Sequence, residues 1–149
     1  MGKNNKKQPK ARDVPSREKL PKSSLAESFY DLHPSWRVGR LELVDPFGWH
    51  KIPAEKVYEI RAKLGGFEGQ SWGEIITKSQ NNHHFMATTK ICNDASARLT
   101  ALHMEDTDAL FSLRLAGPER IWGILDNGVM VILWWDPFHL IYPVSRGGR

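Results

Sequence analysis

The C-terminal third of the chain holds the residues whose types and spacing could do chemistry. Arg120 begins a predicted strand, and His139 and Tyr142 follow the end of the next one. Residues 126–128 (Asp-Asn-Gly) predict a two-residue hairpin turn between these strands, because Asn-Gly accepts positive φ at both central positions. Counting outward from this turn places Arg120 opposite Trp135. We therefore expect an arginine, an indole, an imidazole and a phenol at one end of a sheet.

These groups are the ones that RNA cleavage by an internal 2′-hydroxyl needs. One group takes the 2′-OH proton, one protonates the leaving oxygen, and a fixed cation stabilises the charge that develops on phosphorus. His139 and Arg120 could supply proton transfer and charge stabilisation, and the Trp135 ring could stack on an unpaired base. The alternative is structural, because arginines near turns are often solvated and tryptophans in sheets are often core residues.

The chemistry outlined above requires neither a metal nor a cofactor, and we predict neither. The adjacent residues His83 and His84 could be grouped with Cys92 and His139, but that spacing matches no known set of metal ligands. Cys92 is the single cysteine, which excludes an internal disulfide and indicates a reducing compartment. With no run of about 18 apolar residues, we expect a cytoplasmic protein that does not enter a membrane.

The rest of the sequence predicts an α+β domain over residues 29–149. Residues 36–44 read as a strand, and 79–87 as a loop. Helices are expected after Ile52-Pro53, ending at Gly65-Gly66, then after Ser71 through a capping box with Glu74, and then after Thr88 or Thr89. Three C-terminal strands are predicted at 110–115, 120–125 and 129–135. The expected layout is an N-terminal strand, two to three helices and an antiparallel three-stranded meander.

The N-terminal segment is strongly basic. Residues 1–24 contain eight lysines and arginines against two acidic residues, a net charge of +6, whereas the whole chain is +4 and the remainder therefore −2. With so few apolar groups, residues 1–28 are predicted to form a disordered tail. Such an arm binds phosphate without reading sequence. The predicted tail contacts to RNA are Lys3, Lys6, Lys7 and Lys10.

A resemblance to a known family sharpens these expectations. Residues 111–124 (Phe-Ser-Leu-Arg-Leu-Ala-Gly-Pro-Glu-Arg-Ile-Trp-Gly-Ile) resemble the strand–turn–strand signature of the RelE/YoeB/ParE superfamily of bacterial toxins. Residues 126–142 are similar to the hairpin, apolar strand and His-Tyr end that follow it in that family. The resemblance implies a RelE-like fold, metal-independent cleavage of RNA, on the ribosome in some members, and a cognate antitoxin as partner.

The same resemblance implies roles for individual residues. Arg120 matches the phosphate-binding arginine, Arg114 a basic residue on the preceding strand, and His139 the general acid of YoeB-like members. Tyr142 would match a terminal aromatic residue, but two residues separate it from His139 where the family's pair is adjacent. ParE-like members share the fold and act on gyrase, so fold and activity are separate inferences. A non-catalytic binder of nucleic acid or protein, and an accessory protein unrelated to RNA, remain alternatives.

Overall fold

The computed structural model describes residues 29–78 and 82–143. The predicted basic tail, with Lys3, Lys6, Lys7 and Lys10, lies outside the described residues. The predicted α+β class is confirmed: helices cover both faces of a mixed β-sheet. In this part of the chain, no helix has the length and apolar character needed to cross a membrane.

The sheet has five strands in the order β1-β5-β4-β3-β2, with β1 parallel to β5 and the other pairs antiparallel. The strands are β1 (Ser35–Arg37), β2 (His83–Ala87), β3 (Ala109–Arg114), β4 (Arg120–Asp126) and β5 (Val129–Asp136). The helices are α1 (Ala54–Glu68), α2 (Trp72–Lys78) and α3 (Asn93–Ala101), with short 3-10 turns at Trp49–Lys51 and Thr88–Lys90.

Two hydrophobic clusters hold these layers together. One face of the sheet packs against α1 and α2 through Ile60, Trp72 and Ile75, which are all buried. The opposite face packs against α3 and the segment after β5, which contributes the fully buried Ile141. The first cluster fixes α1 beside the ends of the central strands. The second fixes the segment that carries His139.

The predicted three-stranded meander is wrong in extent. β3, β4 and β5 pair in succession, but β2 extends the sheet beyond β3, and β1 extends it beyond β5. Residues 83–87 were expected in a loop, yet they pair along their whole length with β3, from His83 opposite Leu113 to Ala87 opposite Ala109. The predicted strand over 36–44 is also too long, since β1 ends at Arg37.

Two helix boundaries differ from the sequence prediction as well. α1 continues through Gly65 and Gly66 to Glu68, because Leu64 and Phe67 pack against the first cluster on either side of the glycines. α3 begins at Asn93, after Cys92, and not at Thr88 or Thr89. The predicted Ser71 cap is confirmed, since its Oγ accepts the Glu74 N–H at 3.2 Å.

The predicted Asn127-Gly128 hairpin is confirmed, but its register changes partway along. Asn127 and Gly128 have φ of 50° and 84°, and Asp126 pairs with Val129 as expected. A bulge then shifts the pairing between Trp122 and Gly123, so that Gly123 pairs with Ile132 and Trp122 with Trp134. Leu133 and Trp134 consequently belong to the same hydrophobic cluster.

The bulge corrects the predicted position of Arg120. Arg120 pairs with Asp136 and not with Trp135, which lies opposite Ile121. Side chains alternate across a strand, so Trp135 lies on the face that packs against α1, and Arg120 and Asp136 lie on the other. The expectation that Arg120, Trp122, Ile124 and Trp135 share one face is therefore wrong for Trp135.

Candidate phosphate-binding site

The turn between β3 and β4 brings two arginines together. Arg114 ends β3, Arg120 begins β4, and the two are directly paired in the sheet. The Gly117 carbonyl oxygen at the tip of the turn accepts a hydrogen bond from Arg114 Nε at 3.2 Å and another from Arg120 Nη1 at 2.7 Å. Gly117 has a φ of 55°, a conformation that glycine adopts without strain. The turn therefore holds both guanidinium groups at one point.

Glu119 anchors this turn to the core. Its backbone N–H donates to Ala116 O at 2.9 Å, and its carbonyl accepts the Leu115 N–H at 3.0 Å. Its buried carboxylate accepts the Trp135 indole N–H at 2.8 Å, and the Lys56 ammonium lies 3.7 Å away. The turn is thus tied to both β5 and α1, which restricts the positions available to the arginines.

The charge of the two arginines is not cancelled by a directly bonded carboxylate. Within residues 29–78 and 82–143, neither guanidinium has a carboxylate oxygen within 4.0 Å. Asp136 lies opposite Arg120 and is fully buried, but its two oxygens accept the N–H groups of Leu140 and Ile141, each at 2.9 Å.

The environment of the Arg120 guanidinium, which includes the paired Arg114, affects its pKa. Burial, followed by the neighbouring charge of Arg114, lowers the pKa of Arg120 from its usual value, and Asp136 acts in the opposite direction. The Arg120 Nε is buried and has no hydrogen-bond partner among the described residues. An arginine remains charged at neutral pH, so this end of the sheet keeps a concentrated positive charge that favours an anion.

The structure places His139 and Tyr142 beside each other, with ring centroids 6.4 Å apart. His139 has a φ of 59°, and the following two residues are held by Asp136. Among the residues that the structure describes, no hydrogen bond, ion pair or ring contact joins His139 to Arg120. Asp136, the residue paired with Arg120, instead holds the backbone of the segment that carries His139.

Trp135 is 8% exposed, and its indole N–H is directed at Glu119. Its accessible part lines a cavity of about 480 Å³ together with Phe47, Pro137 and Phe138. Stacking of a base on Trp135 stays a prediction. The direct observation is that Trp135 fixes the turn that carries Arg114 and Arg120.

Three residues at the start of β2 and on α1 were not assigned to the site from sequence. Asn82 Oδ1 accepts from Arg114 Nη1 at 2.8 Å, and His83 Nδ1 accepts the Arg114 backbone N–H at 3.0 Å. Lys63 on α1 lines the same cavity as His83 and Arg114. The signal in the sequence was weak, because residues 79–87 read as a polar loop, and only pairing with β3 makes a strand of residues 83–87.

His83 is an uncharged member of this group. Burial is the main cause that lowers its pKa to about 4, and the charges of Arg120 and Arg114 add to the effect. Its imidazole is therefore neutral at pH 7. Because Nδ1 accepts a hydrogen bond, the proton is on Nε2, which makes that nitrogen a donor.

No protein family, curated protein or solved structure matches the chain. The site is consequently defined by its geometry. Paired guanidinium groups give shorter and stronger hydrogen bonds to phosphate oxygens than neutral donors do. The end of the sheet around Arg114 and Arg120 is therefore a candidate phosphate-binding site. The His83 imidazole lies within it, and His139 lies on the segment that follows β5.

Proposed function

We propose that this protein binds the phosphate backbone of RNA at Arg114 and Arg120 and cleaves it as a metal-independent endoribonuclease. It would act in the cytoplasm as a toxin of the RelE/YoeB kind, on free RNA or on mRNA at the ribosome, and a cognate antitoxin would restrain it. The observation that carries the proposal is the convergence of two arginines, without carboxylate partners among the described residues, on the Gly117 carbonyl.

The proposed reaction is an internal transfer at phosphorus. The 2′-oxygen attacks the adjacent phosphorus, the bond from phosphorus to the 5′-oxygen breaks, and the products carry a 2′,3′-cyclic phosphate and a free 5′-hydroxyl. Arg120 stabilises the negative charge of the pentacoordinate state. His139 protonates the leaving 5′-oxygen, and the 2′-OH proton passes to solvent. Tyr142, whose ring lies beside His139, orients the imidazole.

A second candidate is a non-catalytic protein that binds RNA at the same arginines. It is favoured by one observation: among the described residues, His139 makes no direct contact with either arginine. The two candidates share the phosphate-binding site and differ in whether the imidazole reaches the bound phosphate.

Cleavage in the presence of EDTA distinguishes the two candidates. We expect purified protein to shorten a 5′-labelled single-stranded RNA in excess EDTA, or mRNA on translating ribosomes in the Mg²⁺ that ribosomes require, and to leave 2′,3′-cyclic phosphate ends in either case. The matched control is the same sequence with 2′-O-methyl groups throughout, which should be bound and remain intact. RNA that is bound but uncut would establish the non-catalytic candidate, and RNA that is neither bound nor cut would contradict both.

A further inference from the structure

A polar cavity of about 350 Å³ lies where the C-terminal half of α1 meets the start of β2. Its lining comprises Lys63, Phe67, Asn82, His83, Arg114, Leu115 and Ala116. We propose that this cavity binds a second phosphate of the RNA strand whose first phosphate is bound by Arg114 and Arg120. The inference rests on the proposed function and adds the path that the RNA follows across the surface.

The charges around the cavity favour an anion. Lys63 and Arg114 contribute two positive charges, and within the described ranges neither has a carboxylate within 4.0 Å. Glu59, one helical turn before Lys63 on α1, is bound to Lys56 at 2.9 Å. A phosphate entering the cavity would therefore meet two cations that have no carboxylate partner, with Arg114 shared between this phosphate and the first.

The neutral residues complete a set of hydrogen-bond donors. The Asn82 amide oxygen accepts from Arg114 Nη1, so its NH₂ group is left to donate. The His83 ring accepts through Nδ1, so its Nε2–H is a further donor. The edge-on contact between Phe67 and His83, with centroids 5.1 Å apart, fixes the imidazole plane. These donors belong to residues that line one cavity, and a phosphate group has several oxygens that can accept from them.

An adjoining cavity indicates that the ligand is an unpaired strand. This second cavity, of about 490 Å³, is lined by Glu59, Ala62, Lys63, Gly66, Phe67 and Gln70, and shares Lys63 and Phe67 with the first. Gly66 leaves open space, since no atom lies within 4 Å of where its Cβ would be. A single-stranded nucleotide could place its phosphate at Lys63 and its base over Gly66 and against Phe67, an aromatic contact that paired bases cannot make.

The charge component can be tested with Lys63→Gln. Binding of a fluorescein-labelled 12-nucleotide single-stranded 2′-O-methyl RNA, which the proposed reaction cannot cleave, should weaken about tenfold at low salt when followed by anisotropy across a salt series. The slope of log K against log salt should fall by about 0.7, the value for one lost contact to a single strand. The matched control is Lys90→Gln, an exposed lysine beyond the other end of β2, which should leave both quantities unchanged.

The base-binding component can be tested with Gly66→Leu, which fills the open space above the helix. We expect weaker RNA binding with an unchanged salt slope, because no charge is removed. Gly65→Leu is the control, since Gly65 is also an exposed helical glycine but does not line the cavity. If Arg120→Gln weakens binding while Lys63→Gln and Gly66→Leu behave as their controls do, the inference is wrong and the proposed function is retained. If the wild-type protein binds no RNA, both are wrong.

Discussion

Replacing Arg120 with alanine is expected to slow RNA cleavage by about 10²- to 10³-fold, the usual loss when one donor to a developing negative charge is removed. The fold should survive, because within residues 29–78 and 82–143 the Arg120 guanidinium bonds only to the turn carbonyls of Gly117 and Glu119, at 2.7 and 3.1 Å. Losing these bonds should cost no more than about 2 kcal/mol of the free energy of unfolding. The measurement is the initial rate of RNA cleavage in EDTA, with urea denaturation of the same preparation.

His139→Gln tests the protonation of the leaving 5′-oxygen in the same reaction. Loss of a general acid typically lowers the rate by about 10²- to 10⁴-fold. Arg61→Ala, an exposed arginine stacked on Tyr58, is the control and should remain fully active. If Arg120→Ala and His139→Gln both fold normally and cleave at the wild-type rate, the site has been assigned to the wrong residues.

The largest effect on stability is expected for Gly123→Ala, at about 3 kcal/mol or more. A Cβ at Gly123 would overlap the Val131 carbonyl oxygen, and would lie 3.2 Å from Ile132 Cα. The obstructing atoms are backbone atoms of β5, the strand paired with β4, so relief requires the bulge itself to move. The bulge sets Arg120 opposite Asp136, and any protein that does fold should also bind RNA more weakly.

Urea denaturation measures the effect of Gly123→Ala directly. The control is Gly39→Ala in an exposed loop, where no atom lies within 4 Å of the added Cβ. That change should alter the free energy of unfolding by no more than about 0.5 kcal/mol. Equal midpoints for the two variants would show that the strands accommodate a methyl group at the bulge.

The pairing of β4 with β5 could be predicted from the sequence only as far as the bulge between Trp122 and Gly123. The Asn127-Gly128 dipeptide correctly predicts the hairpin turn, and counting outward from it correctly predicts the pairs Asp126–Val129 and Ile124–Val131. Residues 132–135 (Ile-Leu-Trp-Trp) are uniformly apolar, so their pattern cannot reveal that Leu133 and Trp134 belong to one cluster. The carbonyl of Leu133 accepts the Glu42 N–H at 2.9 Å, a contact with a distant segment that local sequence does not encode. A prediction that assumes strict alternation of side chains along β5 therefore places Trp135 on the wrong face of the sheet.

Other differences have the same origin in tertiary contacts. β2 has few residues with high strand propensity, and its pairing with β3 supplies what local preference lacks. Gly65 and Gly66 each cost a helix about 1 kcal/mol, yet α1 continues because Phe67 packs against the core. The arginines of the candidate site were identified from sequence. Their common anchor, the Gly117 carbonyl, depends on the three-dimensional path of the turn.

The salt dependence of RNA binding by the double variant Arg114→Gln, Arg120→Gln tests the central claim most directly. Both substitutions remove charge and keep side chains that can donate to the Gly117 carbonyl, so the turn should remain folded. With a single-stranded RNA that lacks 2′-hydroxyls to prevent cleavage, the slope of log K against log salt should fall by about 1.4, the value for two lost phosphate contacts. A slope equal to that of the wild-type protein would show that the two arginines do not bind RNA phosphate.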